Sequence, residues 1–168
     1  MKHLLIVYHS QSGNTEALAH AAAEGAAREA EAVQTRLLRA VEAGLEDLRW
    51  AHGLLLGTPE NFGFMSGMMK DFFDRTYYPA RGRIAALPYA LFVSAGNDGS
   101  GAVREIERIA RGYPFKKIAE PLIAKSGVTE EMRDREPEGF RLAVTEAQLE
   151  AARELGHTMA AGLGFGIF

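Results

Sequence analysis

Residues 9–15, HSQSGNT, place three hydroxyls, two carboxamides and one glycine in a span that holds no lysine or arginine. A helical pattern starts at Asn14 or Thr15. Several unpaired N–H groups then point back into the span, and the helix dipole adds partial positive charge. Such a seat stabilises a phosphate without a basic side chain, with Ser10, Ser12 and Thr15 as further donors. Gly13 permits the curvature that turns consecutive amides inward. Standing alone, the span reads more simply as a polar turn with a helix cap.

Residue types exclude the rival loops. The pattern GxxxxGK[ST] needs a lysine, and GxGxxG needs glycines that do not follow this apolar run. A receiver domain needs acidic residues where His9 and Thr58 stand, and a low-molecular-weight tyrosine phosphatase needs a cysteine, of which the chain has none. Two further spans share the composition of the first: residues 58–64, TPENFGF, and residues 94–101, SAGNDGSG. Both are rich in glycine, hydroxyls and amides.

The elements around these spans must position them. HLLIVYH (3–9) is a near-continuous apolar run, as in a parallel strand covered on both faces. A helix follows over 15–32, with Leu18, Ala22, Gly25 and Ala26 on one stripe. VQTRLL (33–38) alternates like an edge strand, GLEDLRWAHG reads as a short helix or turn, and LLLGT (54–58) is a buried strand. Helices are predicted over 65–76, over 100–112 with Gly112 as C-cap, and over 145–162 with Thr145 and Gln148 forming a capping box. YALFVSA (89–95) is a buried strand entered through Pro88, and KIAEPLIA (117–124) a last one that Pro121 confines to an edge or bulge. This alternation predicts an α/β fold whose parallel sheet has helices on both faces. Ligands of such sheets sit at the carboxyl ends of the strands, where all three polar spans fall.

The 168 residues predict one domain, 1–168. A net charge of −3 gives no reason to expect nucleic acid or a membrane as partner. The apolar run after Lys2 is too short for a signal-peptide core or a membrane span, so a soluble, cytoplasmic protein is expected. No cluster suggests a metal site, and no side chain suggests itself as a catalytic acid, base or nucleophile.

The three spans together resemble the flavodoxin-like superfamily. YHSQSGNTEALA is similar to its FMN-phosphate loop, hydroxyl-x-hydroxyl-Gly-x-Thr opening the first helix. GTPENFGFMSGMMKDFFDRT (57–76) resembles the second flavin loop and helix of the NAD(P)H:quinone oxidoreductase and NADPH-dependent FMN reductase branch, and FVSAGNDGSG (92–101) stands where its third, glycine-rich flavin loop does. The resemblance implies a five-stranded parallel sheet in the order 2-1-3-4-5. It implies FMN as cofactor, its phosphate on Ser10, Gln11, Ser12, Gly13, Asn14 and Thr15. Thr58, Pro59, Glu60, Asn61, Phe62 and Gly63 would line one side of the ring, and Ser94, Ala95, Gly96, Asn97, Asp98 and Gly99 the other. Tyr77 and Tyr78 fall near where relatives place an aromatic at the substrate entrance, and read equally as surface or interface tyrosines.

Flavodoxins proper usually carry a strongly acidic surface and an aromatic that follows a Gly-Asp pair in the third loop. Here the charge is only −3, and after Asp98 no aromatic comes before Tyr113. An uncovered ring face suits direct stacking of a nicotinamide, so the expected activity is hydride uptake from NAD(P)H and delivery to a quinone or similar small acceptor. Glu60 departs from the family pattern, either to disfavour a phosphorylated dinucleotide or to point to solvent. Segments shortened relative to tetrameric quinone oxidoreductases weaken the case for a tetramer, while a homo-oligomer stays open. The alternatives are a one-electron carrier and a regulatory or binding protein that kept the fold without the flavin. Met65, Met68 and Met69 are expected in the core or at a subunit contact, His9 is expected to be structural, and residues 130–139 are expected to form an exposed loop.

Overall fold

The computed structural model describes residues 1–127 and 144–168; the loop expected over 130–139 lies outside them. Strand β1 (Lys2–Tyr8) leads to helix α1 (Asn14–Ala26), strand β2 (Val33–Arg39), helix α2 (Leu45–Trp50) and strand β3 (Gly53–Asn61). Then come β4 (Phe64–Met65), α3 (Gly67–Ala80), β5 (Pro88–Ala95), α4 (Ser100–Ala110), β6 (Lys116–Lys117), β7 (Leu122–Lys125) and α5 (Glu146–Gly164). The parallel sheet runs β2-β1-β3-β5, with β6 and β7 both on the free edge of β5. Counting β6 and β7 as one edge position, this is the predicted five-position order. The edge breaks over residues 118–121, where Pro121 has no N–H to give the ladder.

The unbroken apolar runs follow from cover on both faces. Leu4, Ile6, Leu55, Ala90 and Phe92 pack against Leu18, Ala22 and Ala26 of α1 and Ala152, Met159 and Leu163 of α5. Their neighbours Leu5, Val7, Leu54, Leu56 and Leu91 pack on the other face against Met69, Phe72 and Phe73 of α3 and Ile106 and Ala110 of α4. Alternation at period two thus sends successive residues of one strand into two separate cores. Met65 and Met69 are buried as expected, whereas Met68 is exposed.

Four boundaries differ from expectation. Helix α1 ends at Ala26 and passes into a 3₁₀ turn over Ala27–Glu29. No glycine or proline stops AREAEA. The stop is tertiary, since Lys2 N donates to the Ala32 carbonyl at 2.9 Å and the chain must already be turning into β2. Strand β3 does not end at Thr58 but continues to Asn61 and returns as β4, Glu60 facing Met65 and Asn61 facing Phe64. That pairing delays α3 to Gly67, capped by Ser66, and the helix then runs past Thr76 to Ala80. Gly112 is not the C-cap of α4, which closes on Arg111 in a right-handed conformation. Gly112 serves packing instead, because a Cβ there would lie 2.9 Å from the Tyr77 ring. The Thr145–Gln148 capping box forms as predicted, with Thr145 N donating to Gln148 Oε1 at 2.9 Å and Gln148 N to Thr145 Oγ1 at 3.3 Å. No helix among the described residues is long and apolar enough to cross a membrane.

Candidate functional site

At the carboxyl end of the sheet the three polar spans become three walls. The first begins where β1 leaves the sheet at Tyr8. Gly13 is the N-cap of α1, at φ 96°, and its N–H donates to Ser10 Oγ at 3.1 Å. No side chain caps α1, and the amides of Asn14, Thr15 and Glu16 have no acceptor among the described residues. Gln11 and Ser12 are exposed, and Ser10 and Asn14 are half-buried. Thr15 is buried, and its hydroxyl shares a 2.7 Å hydrogen bond with Ser94 at the end of β5. The phosphate expected to use that hydroxyl would therefore share it with Ser94.

The second wall is the β3–β4 hairpin. Its tip is Phe62–Gly63, with φ 52° and 69°. Positive φ at both central residues is the twist-matched turn of a two-residue hairpin. For a phenylalanine that backbone costs roughly 1–2 kcal/mol, and the Phe62 ring recovers nothing by packing, since it is fully exposed. Below the tip, Thr58 is completely buried. Its Oγ1 accepts from Ser66 N at 3.0 Å and donates to the Pro59 carbonyl at 2.9 Å. The expectation that Thr58 faces the cofactor is corrected here: its hydroxyl is consumed in closing the hairpin onto the cap of α3.

Glu60 needs a second correction. It neither points to solvent nor stands free to repel a dinucleotide. Its Oε2 accepts from Gly99 N at 2.6 Å, and its Oε1 accepts from Gly101 N at 2.9 Å and Ala102 N at 3.2 Å. These are amides at the start of α4, whose N-cap Gly99 has φ 89° and no side chain to cap with. One residue on, Asn61 Nδ2 donates to Gln11 Oε1 at 2.9 Å. The hairpin therefore holds the third wall with one residue and the first with the next.

The third wall, Ser94–Gly99, is built mainly from backbone. Asp98 is exposed, and its carboxylate accepts from Ser100 Oγ at 2.7 Å and Ser100 N at 3.3 Å. These bonds hold its carboxyl below the ordinary range. A fourth span joins here that the sequence reading missed. Ser126 N donates to the Ala95 carbonyl at 2.9 Å and Gly127 N to the Gly96 carbonyl at 2.8 Å, so the chain leaving β7 braces the third wall.

Arg39 was also missed. It is the register partner of Tyr8, so strand pairing alone brings a cation to the first wall. It is not free: Arg39 Nη2 bonds Glu16 Oε1 at 2.5 Å, and Tyr8 Oη donates to the same oxygen at 2.9 Å. The Tyr8 hydrogen bond is the main cause that lowers the Glu16 carboxyl. Burial, helped by Arg39, pushes the His9 imidazole down, and its Nδ1 is buried with no partner among the described residues.

Tyr77 and Tyr78 are not brought to these walls. Helix α3 starts at the hairpin, and ten residues at ~1.5 Å each carry Tyr77 about 15 Å toward the opposite end of the sheet. There Tyr77 packs against Tyr113 at 5.1 Å between ring centroids and against Tyr78 at 5.3 Å. Burial pushes the Tyr113 hydroxyl up to about 12.

Residues 39–110, which carry the second and third walls, match the family described as NADPH-dependent FMN reductase. The chain is 40% identical over 101 residues to a flavodoxin of Aquifex aeolicus (strain VF5), covering 60% of this chain and 54% of that protein. It is 34% identical over 121 residues to an NAD(P)H dehydrogenase (quinone) of Acidithiobacillus ferrooxidans, covering 60% of each. The chain thus spans somewhat more than half the length of these curated relatives. Among solved structures, a flavodoxin from the domain Archaea superposes with a TM-score of 0.74 at 21% identity, over 96% of this chain and 98% of that one. With its sheet order and this superposition, the chain adopts the flavodoxin-like fold.

Proposed function

We propose that this chain binds FMN, with the phosphate at the start of α1 and the ring between the hairpin and the third wall, and reduces a quinone or similar small acceptor with NAD(P)H. The observation that carries the reading is the uncapped α1 N-terminus, whose first amides have no acceptor among the described residues although Ser10, Ser12 and Thr15 stand beside them in the chain. Gly13 fits the same ligand: no atom lies within 4 Å of where its Cβ would be, so the backbone concavity is clear. Amides and hydroxyls are the donor set that a phosphate dianion needs. Arg39 is already neutralised by Glu16, so the seat adds little net charge of its own. When bound there, FMN supplies hydride and electron transfer; the protein supplies position and a shaped surface.

The residues have distinct tasks in this reading. Ser10 shapes the turn by accepting from Gly13 N, and the α1 amides with Ser12 hold the phosphate. Backbone groups of Pro59–Gly63 and Ser94–Gly99 orient the ring, and no aromatic of the third wall covers it. The family matched by residues 39–110 and the similar quinone dehydrogenase both support reductase chemistry. A visible spectrum of the purified protein after addition of FMN, followed by an NADH or NADPH assay with a quinone, tests this directly. Bound flavin with nucleotide-dependent quinone turnover is the expected result, and flavin-loaded protein that never oxidises either nucleotide would sink the enzyme reading.

The 40% identity to a flavodoxin favours a second reading, a one-electron carrier. A carrier takes up electrons in two resolved one-electron steps during potentiometric titration and turns over slowly with pyridine nucleotides. A colourless protein that refuses added FMN would support neither.

A further inference from the structure

We infer that Glu60 is a positioning residue that fastens the hairpin to the third wall, so that the slot for the flavin ring is built before the flavin arrives. The inference rests on the FMN reading above and deepens it. Glu60 receives three backbone N–H groups, from Gly99, Gly101 and Ala102. A carboxylate in that place satisfies amides that the N-cap, a glycine, cannot, and it sits at the positive end of the α4 dipole.

The surroundings are shaped for this contact. A Cβ at Gly101 would lie 2.1 Å from the Gly63 carbonyl oxygen and 3.0 Å from Glu60 Oε1, so only a glycine lets the hairpin tip and the carboxylate reach the helix. Asn61 meanwhile bonds Gln11, so the strand end that grips α4 also touches the first wall. Thr58 holds the base of the hairpin to the cap of α3, and Glu60 adds a hold nearer its exposed tip. Ordering it in advance removes a cost that binding would have to meet. Filling the α4 seat has one more consequence: of the two helix starts at this edge whose N-cap is a left-handed glycine, that of α1 is the one left open to an anion.

The test separates ring binding from phosphate binding by titrating FMN and riboflavin, which lacks the phosphate, into Glu60→Ala, Glu60→Gln and Ser12→Ala proteins. The Glu60→Ala protein should lose affinity for both flavins by a similar factor, on the order of ten- to a hundredfold. Ser12→Ala should lose affinity for FMN alone. Glu60→Gln should fall between, because its amide group must turn an N–H toward a backbone N–H. Added formate should partly restore riboflavin binding to Glu60→Ala, which loss of a merely structural contact would not show. Glu60→Ala binding both flavins like the wild type, or losing FMN alone, overturns the inference. If the wild type takes up neither flavin, the FMN reading fails by itself. Amide exchange then judges Glu60: protection of Gly99, Gly101 and Ala102 that vanishes in Glu60→Ala or Glu60→Gln keeps the fastening, and unchanged exchange removes it. Far-UV dichroism of each variant guards against reading misfolding as lost binding.

Discussion

Helices α1 and α4 start at the same edge of the sheet and start alike. Each follows a central strand, and each has a glycine N-cap in the left-handed region, Gly13 at φ 96° and Gly99 at φ 89°. Neither glycine has a side chain with which to cap its helix. Their fates then part. The amides of α4 are taken by the Glu60 carboxylate from another loop, whereas those of α1 have no acceptor among the described residues. One helix start has become part of the frame and the other is left uncapped. The same local signature thus gives structure or function according to what the tertiary fold brings to it.

The difference can be broken most sharply at the two glycines. Alanine at either position must adopt a left-handed backbone, costing about 1–2 kcal/mol. At Gly13 nothing stands in the way of the new Cβ, but at Gly99 it would lie 2.4 Å from Ile123 Cγ2. With overpacking added, Gly99→Ala should cost about 3 kcal/mol, well above the ~1 kcal/mol expected of Gly13→Ala. Urea denaturation of the flavin-free proteins measures both, and equal losses would mean that the two helix starts are equally open.

Next in size is Thr15→Ala, which strands the buried Ser94 hydroxyl and should cost about 1–3 kcal/mol of stability. Adding Ser94→Ala should return part of that loss, and a double-mutant cycle reads the coupling. Ser12→Ala is gentler. Ser12 is exposed, so stability should move by no more than ~0.5 kcal/mol, while FMN affinity falls about tenfold on loss of one charge-assisted hydrogen bond. Isothermal titration with FMN and riboflavin checks it, and an unchanged FMN affinity would move the phosphate away from α1.

The smallest effect is in pH. His9 has its folded pKa pushed below 6.5, first by burial and then by Arg39. Folding therefore favours neutral imidazole; this contribution is present above the unfolded pKa and is lost as pH falls through the lower folded value. Asp98, lowered from 3.8 by Ser100, follows the same sign in a more acid range. Thermal melts of the flavin-free protein should show stability declining first below about pH 6.5. His52, also pushed down by burial, contributes with the same sign, so His9→Gln should flatten that first decline in part, and a profile that His9→Gln leaves unchanged would remove His9 from this account.

Much of this was legible in the residues. Unbroken apolar runs at Leu4–Val7, Leu54–Leu56 and Tyr89–Val93 could only be strands with two covered faces, and all are buried. Thr145 and Gln148 stated their own cap because a capping box is closed within four residues. Pro121 marked the edge strand because a missing N–H is a covalent property. Harder to read was whatever one segment needs from another. TPENFG carries no sign that β3 continues past Thr58, since the hairpin depends on Phe62 accepting a positive φ that its type disfavours. Tyr77 and Tyr78 follow the second loop in sequence, yet a straight helix carries them to the far end of the sheet.

Glu60 is the plainest case. In the sequence it is a lone acidic residue in a loop, and its partners Gly99, Gly101 and Ala102 come about forty positions later. The sequence by itself determined the order of the elements, the three polar spans and the helix start at HSQSGNT, because strand burial, turn chemistry and helix starts are local consequences of residue type. Only the tertiary structure decided which helix start is filled and which is left open. That choice depends on where β3 delivers a carboxylate, and no local pattern records a distance between residues so far apart in the chain.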